Sequence, residues 1–380
     1  MDFSFTPEQD QIREHLRALL AKACPPEYAA QCDEDARPPR EAYEALAKNG
    51  WFGLIVPPEF GGTGGNAIDL AILLEECGYA FEELGMWVFR TLTYGGYAVM
   101  RDGTPEQKAS ILPRVAKGEI AVCFGITEPH SGSDAAALTT QATEHEGGYV
   151  INGQKVFTSG MDVSELCLLV ARTSSTGKKH EGITNFLIDT KLPGIEINKI
   201  KTLGQRAIGT TQVFYNDVQA PKTAVLGKVG EGWRSVDAYI WYERLCLSAA
   251  RTGAATAAFE YALNYAKTRK QFGKTIGEFQ AISHKLADMK VMLDISRTMV
   301  YRFAWLMDQG KATRHDAAVV KLHTGETYKA VSDMGLQILG GYGYCMEYPM
   351  QRFFRDSRLA TIGAGTSEIQ RNIIARGLGL

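Results

Sequence analysis

Apolar positions recur with helical spacing through the first part of the chain. The stretch FTPEQDQIREHLRALLAK opens with Thr6 where an N-cap belongs, Pro7 at the first helical position and Gln9 placed to close a capping box. Leu16, Leu19 and Leu20 then continue one apolar face. PREAYEALAKNGWFGL repeats the pattern with Gly50 as its stop, NAIDLAILLEECGYAFEEL predicts a third helix, and TPEQKASILPRVAKGE a fourth that again begins Thr-Pro. From about residue 119 the period shortens. AVCFGI, YVING, QKVF, CLLVAR, TNFLID, IEINKI and TQVFYNDV are short runs rich in β-branched and aromatic residues between turn formers, which predicts a small antiparallel β domain. Within it Asn152-Gly153 predicts a two-residue type I′ hairpin. From about 231 the helical period returns. SVDAYIWYERLCLSAARTGAATAAFEYALNYAKTRKQF predicts one very long helix whose Ala- and Gly-rich middle lets other helices approach closely, and two more long helices follow. The three blocks predict an α+β chain with an N-terminal α-helical domain (1–118), a middle β domain (119–230) and a C-terminal four-helix bundle (231–380).

Composition narrows the function classes. Of 380 residues 45% are hydrophobic and 22% charged, ordinary for a soluble globular protein too long for one core. With 41 basic and 43 acidic residues the net charge of −2 offers no general attraction to nucleic acid or anionic lipid, and no apolar run is long enough to cross a bilayer. The seven cysteines are scattered, odd in number and without a C-x-x-C pair, which predicts reduced thiols; no basic-then-apolar leader is visible, so the expectation is a cytoplasmic protein. No metal site is expected.

Three stretches carry candidate chemistry. GITEPHSGSDAAALTT (125–140) follows a strand and offers hydroxyls and backbone N–H groups that suit a polar heterocycle or a phosphate, although a plain Ser/Gly turn reads the same way. It is not the G-x-G-x-x-G turn of a dinucleotide-binding βαβ unit. TRKQFGKTIGEFQ (268–280) ends the long helix in cations, where Arg269 serves either the helix dipole or a diphosphate. LQILGGYGYCMEYPMQRFFRDSRLATIGAGTSEIQRNIIAR (336–376) stops a helix at Gly340-Gly341 and opens the last one at a Gly-Thr-Ser turn.

Taken in order and spacing, ITEPHSGSD, NGQKVFTSG, LGQRAIGT, VGEGW, TRKQFGKTIGEFQAISHKLADM, LQILGGYGY, FRDSR and GTSEIQRNIIAR make the chain resemble the acyl-CoA dehydrogenases over nearly its whole length. These are FAD enzymes that α,β-desaturate acyl-CoA thioesters and pass electrons to an electron-transferring flavoprotein. The resemblance implies the family fold and a homotetramer. It implies that Phe124, Ile126, Thr127, Gly132 and Ser133 line the flavin, and that Phe157, Thr158 and Ser159, where many members have Trp-Ile-Thr, cover its other side. It further implies that Arg269, Gln271, Phe272, Phe279, Gln280, Gln337 and Gly341 hold the diphosphate and adenine side, in part across subunits, with Thr366 and Glu368 in the loop that meets FAD.

The thioester chemistry needs a carboxylate near the α-carbon, with a pKa raised toward working pH. Many members carry Glu immediately before the Gly-Thr of the C-terminal loop, but here that position is Ala364. In AYIWYERLCLSAA, Glu243 is set among Trp241, Tyr242, Leu245 and Leu247; on the residues alone it is either a base, a partner of a distant arginine, or solvent-facing. The Glu243-Arg244-Leu245 motif together with Ala364-Gly365 resembles the isovaleryl-CoA and long-chain subtype, which carries its base on this helix. The resemblance therefore implies Glu243 as catalytic base, with Ser133, Trp241, Tyr242, Arg244, Ala364 and Gly365 toward the substrate and the Ala364 N–H on the thioester oxygen. Thr91, Thr93 and Tyr94 fall toward the acyl end, and bulky Trp241 and Tyr242 suggest a short, branched or cyclic acyl group. Two alternatives stand beside the dehydrogenase: a 2-enoyl-CoA reductase running the same site in reverse, and a flavin-binding scaffold without dehydrogenase activity.

Overall fold

The protein is described by a computed structural model covering residues 4–175 and 177–380. Its N-terminal third is helical: α1 (Pro7–Ala23), α2 (Pro26–Glu34), α3 (Arg40–Lys48), α4 (Ala67–Ala80), α5 (Glu82–Arg90), a π-helical turn at Thr91–Tyr97, α6 (Ala98–Asp102) and α7 (Pro105–Ala116). The expected starts are in place, because Thr6 with Gln9 and Thr104 with Gln107 both close capping boxes. Gly50 ends its helix in the left-handed region at φ 78°.

Eight strands form one sheet: β1 (Val122–Gly125), β2 (Gln141–His145), β3 (Gly148–Ser159), β4 (Leu166–Arg172), β5 (Ile183–Asp189), β6 (Ile195–Ile200), β7 (Thr210–Pro221) and β8 (Val225–Leu226). The order is β6-β7-β3-β2-β4-β5-β8, with β1 added to β4. Antiparallel pairs predominate, yet the sheet is mixed, since β1 runs parallel to β4.

The hairpin expected at Asn152-Gly153 does not exist there. The chain turns earlier, between His145 and Gly148, and β3 runs straight through Asn152. The Asn152 side chain is used instead to tie down a bulge in β7: it donates to Asp217 Oδ1 at 2.9 Å and accepts from the Asp217 N–H at 2.9 Å, with Asp217 at φ 52°. Gly153 is needed for a close approach, since a Cβ there would meet the Thr140 backbone at 2.7 Å. A second irregularity falls between Lys155 and Thr158, where β3 carries the extra residue and Phe157 sits at φ 58°.

The long helix is as long as the pattern predicts: α8 (Gly232–Thr268). A two-strand ribbon, β9 (Lys270–Gln271) with β10 (Lys274–Thr275), leads into α9 (Gln280–Asp308) and α10 (Arg314–Leu339). The short helices α11 (Gly341–Tyr344) and α12 (Met350–Ser357) precede α13 (Ser367–Gly377). Helices α8, α9 and α10 pack on one another, and α13 packs on α10 as the fourth member of the bundle. Helix α4 lies across α8, and one apolar core, including Leu74, Leu84, Leu245 and Ala250, joins the N-terminal helices to it. The start of α8 rests on the sheet, where Asn185 donates to the Gly232 carbonyl at 3.1 Å and a Cβ on Gly232 would meet the Ile183 carbonyl at 2.9 Å. Both the sheet and the N-terminal helices are thereby fixed against one stretch of α8. Among the described residues no helix is long and apolar enough to cross a membrane.

Candidate active site

Glu243 projects from α8 into the junction of the three regions. Tyr94, only 1% exposed, reaches toward it from the π-helical turn, and the phenol favours the charged form of the carboxylate. That turn is pressed onto β1, where a Cβ on Gly95 would lie 2.7 Å from Val122 Cγ2. The same contact stacks Tyr94 on Phe124, with ring centroids 4.4 Å apart and planes at 16°. Glu243 has no ion pair within 4 Å among the described residues. Burial raises its pKa; the Tyr94 hydrogen bond and the charges of Arg244, Arg90 and Arg251 act the other way without cancelling it. One turn before Tyr94, Arg90 donates to the Met86 carbonyl at 2.9 Å, and burial lowers its pKa against the pull of Tyr94 and Glu243.

The C-terminal loop closes on this junction. Ala364 at φ 57° and Gly365 at φ 85° are both left-handed. The Lys321 ammonium donates to the Gly365 carbonyl at 2.6 Å, and the Gln370 amide donates to Gly365 O at 2.9 Å and to Ala364 O at 3.3 Å. Thr366 caps α13 by accepting from the Ile369 N–H at 3.3 Å. The Ala364 N–H finds no acceptor among the described residues, which leaves a free donor in a half-buried loop. Behind it lies Arg244, buried and without an ion pair; burial draws its pKa down to about 10 although Glu243 opposes the shift. Of the other residues expected toward the substrate, Ser133 is exposed at the loop and Trp241 is half-buried with an Nε1–H that has no partner. Tyr242 is buried in a stack on Tyr97, with centroids 4.2 Å apart.

The loop that carries Ile126, Thr127, Gly132 and Ser133 is held from beneath. Lys155 donates to the Ile126 carbonyl at 3.0 Å and to Glu128 at 2.8 Å, while Glu128 also accepts the Thr139 and Thr140 N–H groups at 2.7 and 2.8 Å. Burial alone would raise the Glu128 pKa, but Lys155 and these donors hold it at about 2. Ile126 and Phe124 pack with Val236 and Ile240 of α8, so the loop is fixed beside Glu243.

The residues fit a flat, partly polar group beside the sheet. Phe157 stands 64% exposed on its bulge, Thr158 Oγ1 is buried with no partner, and nothing lies within 4 Å of a Cβ built on Gly132. Apart from Thr366 and Glu368 at the start of α13, the remaining expected cofactor residues lie past the far end of α8. Arg269, Gln271 and Gly341 line a cavity of about 490 Å³ with Tyr342, whose ring is 5.4 Å from the Arg269 guanidinium. Phe272 is 93% exposed and meets Phe279 edge-on at 6.1 Å, and Gln280, Gln337 and Glu368 are exposed. Among the described residues no group of three or more His, Cys, Asp or Glu side chains is placed to hold a metal.

Family models described as acyl-CoA dehydrogenase N-terminal, middle and C-terminal domains match residues 6–119, 123–218 and 230–379. The chain belongs to the acyl-CoA dehydrogenase family. Among its relatives are the probable acyl-CoA dehydrogenase YngJ of Bacillus subtilis, 35% identical over all of both chains, and the 3-(aryl)acrylate reductase of Clostridium sporogenes, 34% identical over 98% of this chain and 99% of that one. Among solved structures, butyryl-CoA dehydrogenase from Megasphaera elsdenii superposes with a TM-score of 0.96 at 30% identity over all of both chains. An FAD complex of PigA gives 0.94 at 29%, again over all of both chains. As an acyl-CoA dehydrogenase family member the protein is an oxidoreductase with FAD as its cofactor.

Lys155, Glu128, Arg90 and Lys321 were not singled out by the sequence reading. Lys321 had a readable signal, a lone cation in the apolar run AAVVKL, the same kind of anomaly that marks Glu243. Lys155 had none, because only the strand pairing shows that its side chain points under the loop.

Proposed function

We propose that the enzyme α,β-desaturates a short, branched or cyclic acyl-CoA, with Glu243 as base. The observation that carries this is a carboxylate without an ion pair whose pKa burial raises, one residue before Arg244, whose guanidinium lies against a loop that offers a free N–H where a side-chain carboxylate is absent. Glu243 takes the α-proton and the Ala364 N–H receives the charge that builds on the thioester oxygen. FAD, when bound, supplies the acceptor for the β-hydride. Tyr94 keeps the Glu243 carboxylate aimed and partly charged, and Phe124 with Trp241 keeps the space between sheet and helix dry. Tyr94 and Arg90 fill the region beyond the base, which favours a small acyl group over a long straight one.

Electrons leave to an electron-transferring flavoprotein in this reading, and the assembly is a homotetramer. Its support is a length. Arg269 follows Glu243 by 26 residues (269 − 243), about 39 Å along a straight helix, too far for one dinucleotide to meet both. Arg269, Gln271 and Gly341 would then serve the FAD of a neighbouring copy. Arg269→Ala should weaken FAD binding by about 10- to 100-fold, the worth of a lost charge-assisted contact. The flavin-to-protein absorbance ratio after gel filtration measures it, and an unchanged ratio excludes the assignment.

The reverse reaction, reduction of a 2-enoyl-CoA, uses the same groups, and the arylacrylate reductase relative favours testing it. The deciding experiment is anaerobic: oxidised enzyme against saturated short-chain, branched, cyclic and aryl acyl-CoAs, followed by flavin bleaching. Reduced enzyme is then mixed with the matching enoyl-CoAs and followed by recovery of the absorbance. Bleaching by a small or branched thioester supports the proposal. Absence of both bleaching and recovery across the panel sinks it in favour of a flavin-binding scaffold.

A further inference from the structure

We propose that Lys321 is a positioning residue for the reaction: through the Gly365 carbonyl its side chain sets the turn that aims the Ala364 N–H at the thioester oxygen. The inference rests on the acyl-CoA reading above. Lys321 lies on α10 and is 1% exposed, and its Nζ is 2.6 Å from Gly365 O. A lysine is almost never buried to this degree without a carboxylate partner, yet none lies within 4 Å of it among the described residues. What surrounds it makes the burial more costly still. Arg244 and Arg251, both from α8 and both buried, add their charges to the same space, with Glu243 of α8 and Glu368 of α13 opposing them. Burial and the two arginines draw the ammonium down to about 7.

A core position in this setting would be better served by leucine or methionine, unless the donor itself has a use. The Gly365 carbonyl is that use. Two successive left-handed residues, Ala364 and Gly365, leave the loop with few internal hydrogen bonds; it is held by Lys321 from α10 and Gln370 from α13. Gln370 grips both carbonyls from the downstream side and Lys321 grips one from beneath, so together they fix the tilt of the peptide planes. The N–H on the other face of that turn has no acceptor among the described residues. An oxyanion donor must be in place before charge develops, because its benefit disappears if the loop has to reorganise during the step.

Lys321→Met removes the donor while preserving length and apolar volume. It should lower kcat by about 30-fold with KM and FAD content within about threefold of wild type, because the donor acts mainly in the transition state. Lys321→Arg, whose longer side chain still brings a donor to the carbonyl, should keep kcat within about threefold. A second readout reports position directly: the infrared C=O stretch of the bound enoyl product of whichever thioester bleaches the flavin fastest. It should move back toward its free value in Lys321→Met and stay shifted in Lys321→Arg. A Met variant with wild-type kcat and an unmoved stretch overturns the proposal, as does an Arg variant of wild-type FAD content and melting temperature that is as slow as Met. Should Met fail to fold, Lys321→Leu, likewise without a donor, is read in its place by the same two measurements. Failure of the acyl-CoA reading looks different: the wild-type flavin itself would be unbleached by the whole panel.

Discussion

Glu243→Gln should bind FAD normally and turn over at least about 100-fold more slowly than wild type, the lower range for losing a general base. The substitution keeps the volume and planar shape of the side chain, so packing against Tyr94 is retained while proton affinity is lost. The carboxylates of the surrounding described residues are otherwise engaged or exposed: Glu128 is committed to Lys155 beneath the 126–133 loop, Glu82 is buried near Arg251, and Glu368 is exposed at the start of α13. Ala364 has none to offer. The pH dependence gives a second signature. Burial raises the Glu243 pKa, so the wild-type rate should climb with pH through a midpoint above the ordinary carboxylate value of 4.5, and the residual rate of Glu243→Gln should lack that limb. Tyr94→Phe removes a hydrogen bond that favours the charged form, so it should move the limb to higher pH.

Stability supplies an independent check with the sign fixed by linkage. A carboxyl whose folded pKa is raised contributes stability below its unfolded pKa and loses that contribution as pH rises through the folded value. At pH 8 the wild-type protein therefore holds a charge that its surroundings compensate only in part and that the glutamine does not carry, and the inactive variant should melt at or above wild type. Retention of more than about a tenth of the turnover rules out Glu243 as base.

Much of this site was legible because its anomalies are local. A carboxylate in WYERL and an alanine before GTSEIQ are both visible without a fold, and the helical and strand periods place each of them on an element. The capping box at Thr6 and the Thr-Pro helix start at Thr104 were equally local. The Asn152-Gly153 hairpin failed for the opposite reason. Asn-Gly has the right conformational preference, but the residue that engages the Asn152 amide is Asp217, 65 positions away, and it holds β3 extended where a turn is expected. The strut of Lys155 and Glu128 is likewise a pairing across 27 residues that only the sheet register discloses. Phe157 shows an intermediate case. Its place in the NGQKVFTSG motif was readable, whereas its left-handed backbone comes from a bulge that depends on β7.

Gly253→Ala should destabilise the protein more than any other single methyl added to the long helix, and the reason is the crossing of α4 on α8. A Cβ at Gly253 would sit 1.9 Å from the Glu75 carbonyl oxygen and 2.7 Å from the Tyr79 nitrogen. The crossing is reciprocal, since a Cβ on Gly78 would sit 1.9 Å from the Ala250 carbonyl oxygen. These are backbone atoms, which cannot rotate away as a side chain does, so relief requires the helix axes to separate. Separation loosens the apolar core that joins the N-terminal helices to α8, with Leu74, Leu84 and Ala250 all fully buried in it. Overpacking of a well-filled core costs about 1–3 kcal/mol, and a backbone collision on both helices belongs at or above the top of that range. A gain in helix propensity of about 1 kcal/mol for Ala over Gly offsets only part of it. Differential scanning fluorimetry should show a drop of roughly 3 °C or more, at about 1–2 °C per kcal/mol for a chain of 380 residues. Function should suffer together with stability, because Glu243 lies on the same helix ten residues earlier (253 − 243) and Tyr94 approaches it from the bundle that α4 supports. The variant should bind FAD less tightly and show a broadened acid limb even below its melting temperature. A melting temperature within about 1 °C of wild type would mean that the two helices are free to move apart at little cost. The Ala- and Gly-rich middle of α8 would then owe its composition to something other than this contact.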